Sequence, residues 1–166
     1  MSRYRPSSKP ASPYITAEGV LKLRQELQYL WTKKRPEVTQ AVHEAAKQGD
    51  RSENAEYIYG KKQLRQIDSR IRFLRKRLDV LQVVDQVPKE TSKVFFGAWV
   101  TLEDDDGNVK QYRIVGPDEF ADKNEYISMD SPIAKALLGR TLDDAVTVNT
   151  PGGKVNWVII DIEYRL

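Results

Sequence analysis

A heptad pattern between residues 57 and 81 constrains the fold of this chain more than any other feature. Its apolar positions follow one another in steps of three and four, and they are Tyr57, Gly60, Leu64, Ile67, Ile71, Leu74, Leu78 and Leu81. Such a pattern predicts one long helix, over about residues 54–84, with a narrow apolar stripe. Because the stripe is narrow, the helix needs a single partner helix to cover it.

The partner helix is predicted in the residues that precede this pattern. Thr16 is a good N-cap, and helical spacing follows at Val20, Leu23, Leu27, Leu30, Trp31, Val38, Val42 and Ala45. Pro36 should kink or split this helix, because proline lacks the backbone N–H. The sequence therefore predicts an antiparallel coiled-coil hairpin over residues 15–86, with the turn at its far tip.

Composition divides the chain into a basic and an acidic half. Residues 1–89 hold 19 Lys and Arg against 10 Asp and Glu, whereas residues 90–166 hold 8 against 14. The chain has no Cys, which excludes disulfides and Cys-ligated zinc and fits a reducing compartment such as the cytoplasm. No apolar run approaches the roughly 18 residues of a membrane span. Residues 1–14, rich in Pro and Ser, are predicted to be a disordered tail.

The polar side of the second helix carries eight basic residues against one acid, Asp68. They are Lys61, Lys62, Arg65, Arg70, Arg72, Arg75, Lys76 and Arg77. A charged helix face is often only solvated, but so uneven a face indicates an anionic partner, with nucleic acid (DNA or RNA) as the default. Lys and Arg without interleaved aromatic residues predict contact with backbone phosphates rather than with bases.

Three carboxylates, Asp50, Glu53 and Glu56, lie in the acidic tip at about residues 49–56. Their spacing places them on one face if a helix begins there. Asp50 and Glu53 also fit a capping box, and Ser52 is an equally good N-cap. Alternatively, the same oxygens can hold a hard cation such as Mg²⁺, if a partner supplies further ligands.

Short β-strand signals replace helical spacing after a linker near residue 90. Strand signals fall at about 94–102, 110–115, 125–129, 145–149 and 155–164, with turns at 104–108 and 151–153. Ser131-Pro132 opens one short helix. Residues 92–166 therefore predict a small α+β domain with a helix packed on an antiparallel sheet. We interpret Asp104–Asp106 as a solvated turn rather than a calcium loop, because the distal Glu of an EF-hand is missing.

Five segments, in order along residues 15–166, resemble the Gre transcript-cleavage factors of bacterial RNA polymerase. They are Gly49-Asp50-Arg51-Ser52-Glu53-Asn54-Ala55-Glu56-Tyr57, Val94-Phe95-Phe96-Gly97-Ala98, Tyr112-Arg113-Ile114-Val115-Gly116, Ser131-Pro132-Ile133-Ala134 and Asn149-Thr150-Pro151-Gly152-Gly153. The tip and the large basic face resemble the GreB branch more than GreA.

The resemblance implies a coiled-coil finger followed by a globular domain of FKBP-like fold. Factors of this family dock at the polymerase secondary channel as monomers and stimulate the polymerase's own hydrolysis of backtracked RNA, without being enzymes themselves. The resemblance assigns Asp50 and Glu53, with Glu56 in support, to binding an Mg²⁺ shared with the polymerase. It assigns the basic face to the extruded RNA 3′ end, and Asp130, Ser131 and Pro132 to polymerase contact.

Three other functions stay open from the sequence. A non-cleaving protein could occupy the same polymerase channel, although the Asp50 and Glu53 spacing favours cleavage. A peptidyl-prolyl isomerase is suggested only by the implied fold, and fold does not transfer function. A passive RNA-binding coiled coil would use the basic face alone.

Overall fold

The structure, a computed structural model, describes residues 9–165. Val20–Leu81 forms one compact unit, and the segments on either side of it together form the other. Within the described part of the chain, no helix is both long enough and apolar enough to cross a membrane.

The first unit is a helical hairpin. Helix α1 (Ala17–Tyr29) continues through a π-helical turn (Leu30–Lys34) into α2 (Arg35–Ala46), and α3 (Ala55–Val80) follows a short connection. Cross-helix contacts pair Val42 with Gly60 and Arg35 with Asp68. From one pair to the other, the residue number falls along α2 and rises along α3, so the two helices are antiparallel, as predicted.

The apolar stripe of α3 faces inward along its whole length. Gly60, Ile67, Ile71 and Leu74 are buried, and the other four positions of the heptad pattern are half-buried. Val38 packs with Ile67 and Ile71 at the centre of the hairpin. The 26 residues of α3 give a helix about 39 Å long at roughly 1.5 Å per residue.

Pro36 interrupts the first helix, as predicted, by way of the π-helical turn. The N–H of Arg35 bonds to the carbonyl of Leu30, five residues earlier. This wider turn accommodates a residue that cannot donate to the helical ladder. The chain stays helical across the interruption, because Lys34 and Arg35 both keep right-handed helical φ and ψ.

The second unit holds a two-stranded and a five-stranded sheet. In chain order its elements are β1 (Tyr14–Ile15), β2 (Gln82–Val83), β3 (Trp99–Asp104), β4 (Val109–Val115), a 3₁₀ turn (Phe120–Asp122), β5 (Tyr126–Ser128), α4 (Pro132–Leu137), β6 (Ala145–Thr150) and β7 (Gly153–Glu163). The larger sheet has the order β5-β4-β3-β7-β6, and β1 pairs in parallel with β2. The predicted α+β class, a helical hairpin followed by a small sheet domain, is confirmed.

Helix α4 covers one face of the five-stranded sheet. Ala134 and Leu137 pack into a fully buried core with Leu102, Ile114 and Ile159. All strand pairings in this sheet are antiparallel except β4 with β5, which is parallel. The chain between β4 and β5 crosses back through the 3₁₀ turn, which a parallel pairing requires.

Residues 12–14 are ordered, which differs from the predicted tail of residues 1–14. Tyr14 pairs with Gln82, and the backbone N–H and hydroxyl of Ser12 both donate to the carboxylate of Asp130. These partners are 68 or more positions away in the sequence, so no local signal could indicate them. The first eight residues of the predicted tail lie outside the described residues.

Candidate metal and nucleic-acid interface

The turn between α2 and α3 is closed by Asn54. Its side-chain oxygen accepts a hydrogen bond from the N–H of Tyr57 at 3.1 Å, and its amide nitrogen donates to the carbonyl of Ala45 at 2.7 Å. Asn54 is therefore the N-cap of α3 and also joins the two helices. The predicted N-caps, Asp50 and Ser52, were wrong. Several neighbouring residues can cap a helix, and only Asn54 immediately precedes α3.

Asp50 is held in a local turn of its own. Its carboxylate accepts hydrogen bonds from the backbone N–H of Ser52 at 3.0 Å and from the Ser52 hydroxyl at 2.9 Å. These bonds stabilise the charged form, and the one from the backbone of Ser52 contributes most to lowering the pKa of Asp50. Asp50 is therefore an exposed carboxylate whose charged form is favoured by its own turn.

Glu53 and Glu56 are exposed, and neither carboxylate bonds to a described residue. Asp50 and Glu53 precede α3, so the expectation that all three acids share one helix face was wrong. Across residues 9–165, no group of three or more His, Cys, Asp or Glu is arranged to hold a metal. The tip still offers only oxygen donors, which suit Mg²⁺, and the set is too small without ligands from a partner.

The eight basic residues of α3 do not all lie on one face. At about 100° per residue, Lys61, Arg65, Arg72, Arg75 and Lys76 fall within a sector of roughly 100°. We call these five residues the basic sector, and all of them are exposed. Arg70 and Arg77 lie on the opposite flank of the helix, and Lys62 lies between the two groups.

Arg70 has a partner inside the hairpin. Its guanidinium binds both carboxylate oxygens of Glu26, at 2.7 and 2.9 Å. This two-point ion pair joins α3 to α1 and offsets the positive charge of Arg70. Arg70 therefore belongs to the packing of the hairpin more than to a surface for anions.

An exposed tryptophan lies beside the basic sector, which the sequence interpretation did not include. Trp31 is 49% exposed, and the guanidinium carbon of Arg75 lies 4.7 Å from its ring centroid. Arg35 lies 5.6 Å from the same ring and also binds Asp68. At the tip, Arg51 similarly lies 5.6 Å from the ring of Tyr57. The predicted absence of interleaved aromatic residues was wrong, because Trp31 comes from the facing helix and α3 itself carries Phe73, which is exposed and lies 5.3 Å from the Arg70 guanidinium.

The three predicted polymerase-contact residues lie together at the start of α4. Ser131 caps this helix, since its hydroxyl accepts from the N–H of Ala134 at 3.3 Å, and Pro132 follows at its exposed first position. Asp130 is half-buried and its carboxylate holds Ser12. Asp130 and Ser131 thus have structural roles in addition to any contact with a partner.

Comparison with known proteins gives the same family in both halves of the chain. A family model described as "Transcription elongation factor, N-terminal" matches residues 13–83, and one described as "Transcription elongation factor, GreA/GreB, C-term" matches residues 89–164. Transcription elongation factor GreB of Pseudomonas aeruginosa is 60% identical over 164 residues, which cover 99% of this chain and 98% of that protein.

Two further similarities extend the comparison. GreB of Haemophilus influenzae is 61% identical over 154 residues, covering 93% of this chain and 98% of that protein. The crystal structure of GreA factor homolog 1 of Thermus thermophilus is 26% identical, with a TM-score of 0.41 over 90% of this chain and 97% of that one. The two family matches and the identity to the GreB proteins place this chain in the GreA/GreB family of transcription elongation factors, on its GreB branch.

Proposed function

We propose that this protein enters the secondary channel of bacterial RNA polymerase and stimulates cleavage of the RNA 3′ end that backtracking extrudes there. The polymerase then resumes synthesis from the new 3′ end. The exposed carboxylates of Asp50 and Glu53, on the turn that joins α2 and α3, carry this proposal. A helix about 39 Å long has the reach to bring such a turn to a buried active site.

Asp50 and Glu53 would hold an Mg²⁺ together with carboxylates of the polymerase, and Glu56 would support them. Beside a metal ion held by the polymerase, this second ion would supply activation of the attacking water, as one half of a two-metal site for phosphate hydrolysis. The bonds from Ser52 keep Asp50 ionised and fix its direction. Because the protein supplies only part of the ligand set, the free factor would bind Mg²⁺ weakly, and hydrolysis would remain the polymerase's own reaction.

The basic sector would hold the extruded RNA by its phosphates. Its exposed Lys and Arg side chains offer charge without a fixed hydrogen-bond pattern for bases, which suits RNA of any sequence. Asp130, Ser131 and Pro132 would contact the polymerase. We propose that the factor works as a monomer in the cytoplasm, where the polymerase acts.

A cleavage assay on backtracked polymerase tests the proposal. Stalled complexes that carry 5′-labelled RNA are given Mg²⁺ and the factor, and the RNA is resolved by length. The wild-type factor should shorten the RNA, whereas Asp50→Asn and Glu53→Gln should lower the cleavage rate by about 100-fold, as the loss of a metal ligand does. Glu37→Gln, an exposed glutamate on α2, is the matched control and should cleave as the wild type does.

The dose of factor separates docking from chemistry in the same assay. The Asp130→Asn factor should reach half-maximal cleavage only at a higher concentration but give the full rate at saturation. The tip variants should cleave slowly at every concentration. A wild-type factor that binds and yields no shortened RNA would refute cleavage and favour the channel-blocking function. Normal cleavage by Asp50→Asn would refute the assignment of the tip.

A further inference from the structure

A cleft in the sheet domain lies apart from the residues that the proposed function uses. Its volume is about 390 Å³, and one wall is the face of the five-stranded sheet that points away from α4. Trp99, Arg113 and Tyr126 occupy neighbouring positions across β3, β4 and β5. Residues 84–87, which follow β2, also line the cleft.

Arg113 lies at the centre of this wall and is oriented by its neighbours. Its guanidinium donates to the carbonyl of Gly97 at 3.3 Å and to the hydroxyl of Tyr126 at 3.2 Å. Its carbon lies 5.8 Å from the ring of Trp99 and 5.6 Å from that of Tyr126. No carboxylate among residues 9–165 pairs with Arg113, although the side chain is half-buried. A fixed, half-buried guanidinium without a counter-charge is a site for an anion.

Two more cations border the same cleft. The Lys123 ammonium lies 5.4 Å from the ring of Tyr126, and the Arg165 guanidinium lies 4.2 Å from that of Trp99. Glu18 and Asp85 are the acids of the lining, and Glu18 lies 3.9 Å from Lys123. Arg165 is also paired with Glu163 at 3.1 Å, so both bordering cations have an acid nearby, and Arg113 is the cation of the described lining that has no carboxylate partner.

The rest of the lining mixes apolar and polar residues. Phe96 and Tyr164 add aromatic rings, Val84 and Val87 add aliphatic side chains, and Thr16 and Gln86 add polar groups. A lone phosphate would reach Arg113 and leave these walls in contact with water. Volumes of about 300 Å³ and above accommodate small organic ligands, and planar bases stack on aromatic rings and on guanidinium groups. We infer that the cleft binds a mononucleotide, with its phosphate on Arg113 and Lys123 and its base against the aromatic wall.

Titration of the full-length factor with adenosine 5′-monophosphate tests this inference without polymerase. Binding should change the tryptophan fluorescence in a saturable way, and Trp99→Phe should remove that change. Arg113→Gln and Lys123→Gln should each bind at least tenfold more weakly. Arg140→Gln is the matched control, because Arg140 is exposed in the same domain and does not line the cleft.

Two ligand comparisons and one fold control decide the outcome. Inorganic phosphate should compete with the nucleotide, and adenosine alone should bind more weakly than the nucleotide. If Arg113→Gln loses its fold by circular dichroism, the exposed Lys123 variant gives the answer in its place. Absence of saturable binding at millimolar nucleotide, equal weakening by Arg140→Gln, or binding only of an oligonucleotide would overturn the inference.

Discussion

At the scale of the residue, Glu119 is the feature that the sequence conceals most completely. Its side chain is 2% exposed, and its carboxylate accepts hydrogen bonds from the Thr16 backbone N–H at 2.8 Å, the Thr16 hydroxyl and the Gly116 N–H at 3.0 Å. Thr16 also caps α1 by accepting from the N–H of Gly19 at 3.0 Å, as predicted. One buried carboxylate therefore holds the first turn of α1 and the loop after β4.

Replacement of Glu119 should destabilise the protein strongly. Glu119→Ala leaves three buried donors without an acceptor, and each such group costs about 1–3 kcal/mol. We expect a loss of about 3 kcal/mol or more in the free energy of unfolding, measured by urea denaturation. Glu119→Gln keeps one side-chain oxygen and should lose less. Glu125→Ala, an exposed control, should stay within about 0.5 kcal/mol of the wild type; an equal loss there would contradict this role.

Ser52 should control the ionisation of Asp50. The pKa of Asp50 is lowered by the Ser52 backbone bond first and by the Ser52 hydroxyl second. Ser52→Ala removes only the hydroxyl, so the pKa should rise part of the way towards that of an ordinary Asp. The measurement is a ¹³C NMR titration of the Asp50 carboxyl between pH 2 and 6. The bonds from Ser52 stabilise the turn only while Asp50 is ionised. The turn should therefore loosen as the pH falls through the pKa of Asp50. An unchanged titration in the variant would refute this contact.

At the scale of the element, the hairpin depends on a close approach at Gly60. A β-carbon added there would lie 2.7 Å from Cγ2 of Val42 on the facing helix. The heptad pattern identifies Gly60 as an inward position, but it does not show why the position holds glycine. The reason is the facing valine, which leaves no room for a side chain.

Gly60→Ala should therefore destabilise the hairpin despite the better helix propensity of alanine. The propensity gain of about 1 kcal/mol should be outweighed by overpacking, which typically costs about 1–3 kcal/mol. Val42→Ala in the same chain should relieve the clash, so a double-mutant cycle should show coupling of at least 0.5 kcal/mol. Independent, additive effects in thermal unfolding would contradict the close packing of these two residues.

The two flanks of α3 should differ in their contact with RNA. The double variant Arg72→Gln, Lys76→Gln removes two charges from the basic sector. It should weaken crosslinking to the extruded RNA 3′ end. The salt dependence of binding should become shallower by the amount expected for about two phosphate contacts. Arg70→Gln breaks the ion pair with Glu26 and should mainly lower stability. The reverse pattern, in which Arg70 controls crosslinking, would refute the basic sector.

At the scale of the whole molecule, the sequence reveals local periodicity well and distant pairing poorly. Every heptad position from Tyr57 to Leu81 faces inward. The sequence predicts this because the stripe depends only on residues three and four positions apart. The β1–β2 pairing, the bond from Ser12 to Asp130 and the Glu119 contacts join distant residues, so they have no local signature. The tip acids are visible in the sequence and the resemblance gives them a role that stays a prediction, whereas the N-cap of α3 at Asn54 needed the fold.

In the proposed function, the tip carboxylates bring a metal ion to the extruded RNA. The most direct test is the Mg²⁺ dependence of cleavage by backtracked polymerase at saturating factor. Asp50→Asn and Glu53→Gln should raise the Mg²⁺ concentration for half-maximal cleavage by about tenfold or more, and Glu37→Gln should leave it unchanged. A lower maximal rate at an unchanged Mg²⁺ requirement in both tip variants would contradict metal binding by these carboxylates.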